Sequence, residues 1–206
     1  EPSPQIVSVL AQSRPAVVLG LDIGTSGIRA ALFDERGEDI ASACVRQHWP
    51  PLDNATSFNA EQRLGWIESA VDDLFALAKP VDLEIQFISI SCFWHSLVGV
   101  DGNGDSTTPV FTWASTEATD AARELRGLFD EPSIHARTGC RFHPSYWPAK
   151  LRWLSQKHPE DVAATRSWIS FGEFLVLHLC GETAASVSMA SGTGLFNQEL
   201  GHWDDE

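Results

Sequence analysis

The sequence predicts an α/β fold built on a mixed sheet with flanking helices, and three stretches carry that expectation. An apolar run, Val17, Val18, Leu19, Leu21 and Ile23, is bounded by small turn residues and reads as a strand buried on both faces. Apolar residues then recur at helical spacing between Ala60 and Ala78. A β-rich run, Ile85 to Ser91, follows that helix, and a strand reached through a helical crossover is expected to enter the sheet parallel.

Residues 1–15 hold three prolines and no periodicity, and are expected to be a leader ahead of a domain spanning 16–206. The first strand ends at Asp22-Ile23, and Gly24-Thr25-Ser26-Gly27 turns the chain into a second run (Ile28, Ala30, Leu32) ending at Asp34. That pattern is a hairpin with a tip of small residues. A turn over Glu35 to Asp39 and a third strand, Ile40 to Arg46, complete a meander. Trp49 to Phe58 is a loop, rich in Pro, Asp, Asn and Ser.

Asn59 is placed to cap the helix that follows, with Gln62 three residues on. Leu64, Ile67, Val71, Leu74, Phe75 and Ala78 form its apolar face, expected to lie on the sheet, and Lys79-Pro80 stops it. Cys92-Phe93-Trp94-His95-Ser96 then stands where the parallel strand ends, the place where open α/β sheets bind ligands.

Leu97 to Val110 reads as a hairpin turning through Asp101-Gly102-Asn103-Gly104-Asp105. The turn imitates a calcium loop, but Ser106 and Thr112 occupy the positions that need Gly and Glu, so a plain tight turn is expected. Helices are predicted over Thr116 to Leu128, Ser133 to Arg137, Pro148 to Ser155 and Gly172 to Cys180. His178 falls inside the last of these, where a satisfied histidine is expected rather than a metal ligand.

The chain has 206 residues, 43% of them hydrophobic, enough for a substantial core. Its net charge of -14 argues against a general affinity for nucleic acid or anionic membrane. Cys44, Cys92, Cys140 and Cys180 form no CxxC pair and are expected to be buried reduced thiols. No apolar run approaches the length of a membrane span, and residues 1–15 lack the features of a secretory signal, so a cytoplasmic location is expected. The sequon Asn54-Ala55-Thr56 matters only in a secreted protein.

The hairpin tip has a chemical reading beside the structural one of an ordinary glycine-rich turn. Gly24 and Gly27 permit unusual backbone angles and close approach of a ligand. Thr25 and Ser26 offer N–H and O–H donors of the kind phosphate oxygens accept. Asp22 at the base of the loop could hold a hydrated Mg²⁺, which uses one or two carboxylates beside substrate phosphates, and Arg29 adds a positive charge. This stretch, with Phe33-Asp34 and Gly37, resembles the first phosphate loop of the actin, Hsp70 and sugar-kinase superfamily, and most closely that of the FGGY carbohydrate kinases. The similarity continues to about Trp203, closest to gluconate- and xylulose-kinase-type members. It implies a ribonuclease-H-like domain of the actin/hexokinase/Hsp70 type with a mixed five-stranded sheet. In that family the Asp belongs to the magnesium site, while the Thr, the glycines and the basic residue lie at the nucleotide phosphates.

Four later stretches match in order. Phe93-Trp94-His95-Ser96-Leu97 is similar to the family's substrate loop, in which His95 would hydrogen-bond a sugar hydroxyl. Thr112-Trp113-Ala114 resembles its Trp-centred motif, and an indole suits the C–H face of a polyol. The segment from Thr138 through His143-Pro144-Ser145 to Leu154 resembles the one that runs beside the sugar. Ser188 to Asn197 resembles the last small-residue signature, where a structural role is as good a reading as ligand contact. Ser115, Glu117 and Ser186 depart from the pattern, which has Asp, Arg and Asp there; this puts substrate choice and activity in question.

The resemblance implies the N-terminal domain of a kinase that moves the γ-phosphoryl of ATP to a hydroxyl of a sugar, polyol or sugar acid, with ATP and Mg²⁺ as cofactors. Its site residues would be Asp22 for the metal, Gly24, Thr25, Ser26 and Arg29 for the phosphates, and Trp94, His95, Trp113 and Ser145 for the substrate. The family's general base, an Asp in a glycine-rich stretch, is expected beyond residue 206, so the isolated chain is expected to be nearly inactive and to need its own C-terminal domain. No nucleic acid or membrane partner is expected; a homodimer is left open. The alternative reading is a non-catalytic, actin-like nucleotide-binding or interaction module with a degenerate sugar site.

Overall fold

The computed structural model describes residues 16–50, 56–78 and 83–205. The expected leader, the sequon at Asn54 and the Lys79-Pro80 stop lie outside the described residues. In chain order the elements are β1 (Ala16–Ile23), β2 (Gly27–Phe33), β3 (Asp39–His48), β4 (Ser57–Phe58), α1 (Ala60–Ala78), β5 (Glu84–Cys92), β6 (Val98–Val100), β7 (Val110–Phe111), α2 (Thr119–Leu128), α3 (Glu131–Thr138), α4 (Trp147–Lys157), α5 (Pro159–Ala164), β8 (Ser167–Ile169), α6 (Phe171–Cys180), α7 (Val187–Ser191), β9 (Phe196–Asn197) and β10 (His202–Trp203). The chain divides into two compact units, which among the described residues comprise 16–49 with 66–78 and 83–91, and residue 50 with 56–65 and 92–205.

In the first unit β1, β2 and β3 form the predicted antiparallel meander and β5 lies on the other side of β1, giving a mixed sheet of order β3-β2-β1-β5. Four strands are joined in this sheet among the described residues; the remaining six pair two by two. β1 is closed on one face only. Val17, Leu19, Leu21 and Ile23 are buried, whereas Val18, Gly20 and Asp22 are partly exposed. Ile67, Ala70, Leu74 and Ala78 of α1 are buried at helical spacing, and Gln47 of β3 donates to Asp73 of α1 at 2.8 Å. The helix begins as its capping signal requires, with Asn59 Oδ1 accepting from the Gln62 N–H at 2.7 Å.

The second unit is built around two clusters. Ala118, Ala122 and Leu125 pack with Phe142 and Ala149, with Ile134 and Trp153 at the margin. Leu97, Phe111, Trp147 and Leu154 form the other, beside Leu151, Val162 and Trp168. The stretch Leu97 to Val110 folds back on itself as predicted, with antiparallel bridges at Val100–Ser106 and Leu97–Phe111, while β6 also pairs with β8 and β7 with β4. Its turn is tight, with Asp101 Oδ1 accepting from the N–H groups of Asn103 and Asp105. α6 starts with a capping box between Ser170 and Glu173. His178 lies against Phe174, its Nδ1 2.9 Å from the Phe174 carbonyl, as a satisfied histidine should.

The four cysteines are free thiols, but Cys140 alone is buried, and Cys44 and Cys180 are exposed. Apolar neighbours in sequence did not translate into burial at β3 and at the end of α6. Among the described residues no helix is long and apolar enough to cross a membrane.

Candidate functional site

The hairpin around Asp22 belongs to the first unit. Antiparallel register sets Asp22 opposite Arg29, and Arg29 opposite Arg46, so a carboxylate and two guanidinium groups form one row across β1, β2 and β3. Arg29 Nη1 donates to Asp22 Oδ2 at 2.8 Å, with both side chains about half exposed. Among the described residues the other carboxylate oxygen makes no hydrogen bond. A cavity of about 60 Å³ is lined here by Asp22, Gly24, Ser26, Gly27, Arg29 and Arg46 among others, but not by Thr25, which is exposed at the tip.

The glycines work differently from expectation. Neither Gly24 nor Gly27 has a positive φ. A Cβ on Gly27 would lie 2.2 Å from the Gln47 carbonyl oxygen, so this glycine is required by the close approach of β3. A Cβ on Gly24 would meet only the Gly27 oxygen, at 3.5 Å. The tip is closed from within: Gly24 N–H donates to Gly27 O at 2.9 Å, and Trp49 donates through its indole to Gly24 O and through its main chain to Ser26 O. The exposed donors are therefore those of Thr25 and Ser26. One half-exposed carboxylate beside such donors fits a hydrated Mg²⁺ shared with a polyphosphate and does not fit a cage made of protein ligands alone.

The predicted substrate residues lie in the second unit, where a cavity of about 480 Å³ is lined by His95, Trp113, His135, Gly139, Arg141, His143, Ser145 and Tyr146. That volume is typical of a small-molecule site. Of the expected residues His95, Trp113 and Ser145 are brought together, and Ser145 Oγ donates to the Trp113 carbonyl at 2.7 Å. Trp94 does not line the cavity; its ring stands edge-on to His95, with centroids 5.8 Å apart. Trp113 is 53% exposed, so its indole forms a wall and not part of the core.

His95 is the non-glycine residue with positive φ among those described, at 62°. Side chains with a Cβ rarely adopt that region unless their surroundings hold them there. Its Nδ1 lies 2.9 Å from the Gly192 carbonyl, so Nδ1 carries the proton and Nε2 presents a lone pair. Burial lowers the imidazole's affinity for a second proton, and the charges of Lys150 and His143 lower it further, against the Gly192 bond. Lys150 is completely buried, and its Nζ donates to the carbonyls of His95 at 2.6 Å and Ser145 at 2.8 Å. Burial pushes its pKa down to about 7, with Glu117 opposing that shift. Next to His95, Ser96 is fixed from both sides by Trp147 Nε1 and the Phe171 N–H.

The positions that depart from the family pattern are all engaged. Ser115, itself buried, donates to Glu117. Burial raises the Glu117 carboxyl, but the bonds from Ser115 and neighbouring groups outweigh it and hold the pKa below the ordinary value. Ser186 caps α7 by accepting from Met189 N–H at 3.0 Å, a task an Asp performs equally well. Within the last signature Thr193 is buried and its hydroxyl donates to Ala190 O, a structural role for that residue.

Gly139, Arg141, His143 and Tyr146, which also line the cavity, fall in the Thr138 to Leu154 stretch expected beside the sugar but were not named as individual site residues, and His135 lies outside it. Gly139, at φ 71°, ends α3 in the left-handed conformation and turns 141–145 back past His135. Arg46 was legible only through the register of β3.

Residues 17–206 match the model of the N-terminal domain of the FGGY family of carbohydrate kinases. The chain is 29% identical over 191 residues to a gluconokinase of Bacillus subtilis, covering 92% of this chain and 37% of that protein. Its structure resembles that of a gluconate kinase from Lactobacillus acidophilus, with a TM-score of 0.82 at 26% identity over 92% of this chain and 38% of that one. A ligand-bound xylulose kinase from the same organism gives a TM-score of 0.81 at 26% identity, with the same coverage of the two chains. The chain thus spans well under half the length of these relatives. By the match of its whole described length to that domain, the chain belongs to the FGGY family of carbohydrate kinases.

Proposed function

We propose that this chain is the N-terminal half of an ATP- and Mg²⁺-dependent kinase that phosphorylates a hydroxyl of a sugar, polyol or sugar acid. The observation that carries the reading is the 480 Å³ cavity in which an exposed indole, Trp113, faces His95, Ser145 and Tyr146. An indole covers the C–H face of a polyol, while hydroxyl and imidazole groups bond its O–H groups. His95 Nε2 accepts a substrate O–H, and Lys150 keeps the two carbonyls beneath the pocket in place.

On this reading Asp22 would hold the hydrated magnesium, and Thr25, Ser26, Arg29 and Arg46 would receive phosphate oxygens. The metal, when bound with the nucleotide, supplies charge neutralisation on the transferred phosphoryl group. Phosphoryl transfer also needs a base at the acceptor hydroxyl. None of the carboxylates lines the substrate cavity among the described residues, which agrees with a base supplied by a C-terminal domain.

Calorimetry of the 206-residue chain with pentoses, hexoses, polyols and aldonic acids tests the reading. Binding of at least one is expected, together with no ATP-dependent phosphorylation by this chain alone. Silence with every compound would favour the non-catalytic module, and turnover by this chain would show that its base lies within it.

A further inference from the structure

The cavity's lining holds a guanidinium and three imidazoles but no carboxylate, in a chain of net charge -14. Such a local reversal of sign needs a reason. Among the described residues Arg141 makes no hydrogen bond or ion pair, although it lines the cavity. Glu131 is close enough to sense its charge, and that carboxylate is occupied by the Phe142 N–H at 2.9 Å and by Arg126 Nε at 3.3 Å.

His143 adds a donor. Its Nδ1 accepts the Ser145 N–H at 3.2 Å, so its own proton sits on Nε2. His95, by contrast, presents a lone pair at Nε2. The cavity thus offers a permanent cation and an N–H donor together with an acceptor for an alcohol. The three imidazoles do not converge as metal ligands among the described residues.

We propose that Arg141, with His143 beside it, is a carboxylate subsite, so that the acceptor is a hydroxy acid of the aldonate class and not a neutral sugar or polyol. The proposal rests on this cavity being the acceptor site of the kinase. A guanidinium binds a carboxylate through two parallel N–H bonds, and one permanent cation matches a monoanion better than a phosphate dianion. His95 and Trp113 then receive the hydroxyl-bearing carbons.

The test compares gluconate with glucitol, which differ only at C1, and adds glucose, xylulose and glucose 6-phosphate as controls. Calorimetry on the 206-residue chain is expected to show gluconate bound at least tenfold more tightly than glucitol. Arg141→Gln is expected to abolish that preference, weakening gluconate at least tenfold and glucitol by less, and Arg141→Lys to keep part of it. Arg141 is exposed, and an unchanged melting temperature checks that the variant is folded. Equal binding of gluconate and glucitol, tighter binding of the sugar phosphate, or a preference that survives Arg141→Gln would overturn the subsite while leaving the sugar-kinase reading standing. Silence with all five compounds would overturn both.

Discussion

Lys150 Nζ reaches the main-chain oxygen of His95 at 2.6 Å, across 55 residues of sequence, and pins the residue whose backbone sits in the left-handed region. The same ammonium holds Ser145 O, so one buried side chain ties together two segments that line the 480 Å³ cavity. Lys150→Met leaves both carbonyls without that donor, and a buried unsatisfied acceptor costs about 1–3 kcal/mol. Relief of the burial cost of the charge offsets part of this. A net loss of roughly 2 kcal/mol is expected in urea unfolding, with sugar affinity reduced although Lys150 does not line the cavity. Unchanged affinity in a destabilised Lys150→Met protein would show that His95 does not depend on this clamp.

Lys150 also makes stability depend on pH. Its folded pKa of about 7 lies below the ordinary 10.5, so between these values the unfolded chain binds more protons than the folded one. Stability contributed by this group therefore rises as pH increases from 7, and below 7 the cost of burying the charge is felt in full. Thermal melts from pH 7 to 8.5 should show the wild type gaining relative to Lys150→Met. Cys140 and Tyr146, whose pKa values burial raises, lose protons above this window and are common to both proteins. Parallel curves would contradict a shifted Lys150.

His95 should make sugar binding sensitive to acid. Its proton affinity is lowered chiefly by burial, so Nε2 keeps its lone pair at neutral pH and is protonated only below 6.5. Affinity is expected to be level from pH 7 to 8 and to fall only on acidification below the ordinary imidazole value of 6.5. His95→Gln should weaken binding at pH 7 and flatten the profile. A profile that stays steep in that variant would place the titrating group elsewhere.

The two glycines of the hairpin should behave oppositely. Gly27→Ala forces a Cβ to within 2.2 Å of the Gln47 oxygen, and overpacking against main chain costs about 1–3 kcal/mol. Gly24→Ala meets its neighbour at 3.5 Å and should leave the urea midpoint nearly unchanged. Equal effects would mean that the tip does not pack against β3 in this way.

Asp22→Asn separates binding from stability. The Arg29 pair is half exposed, and such pairs contribute about 0–1 kcal/mol, so unfolding should shift little. Binding of a fluorescent Mg-ATP analogue should fall at least tenfold if the carboxylate serves the metal. Retained binding would remove Asp22 from the proposed role.

Much of the fold was legible because its signals are local. The meander follows from apolar runs broken by Gly24 to Gly27 and Glu35 to Asp39, and α1 from Asn59 and the spacing of Leu64, Ile67, Leu74 and Ala78. β1 was expected to be buried on both faces, and the structure leaves one of them, carrying Asp22, partly open. The short strands β4, β8, β9 and β10, two or three residues each, carry too little periodicity to be read from sequence.

The sequence by itself determined the family, the order of the meander strands, α1, β5 and the main later helices, and the motifs that hold Asp22, His95 and Trp113, because strand and helix periods and short motifs are written in neighbouring residues. The tertiary structure alone decided that Lys150 is buried beneath His95, that Trp94 stays outside the cavity, that Arg46 joins Asp22 and Arg29, and that Arg141 faces the cavity without an acid. Those facts depend on packing between segments tens of residues apart, where burial and distance, and not residue type, set which charges meet.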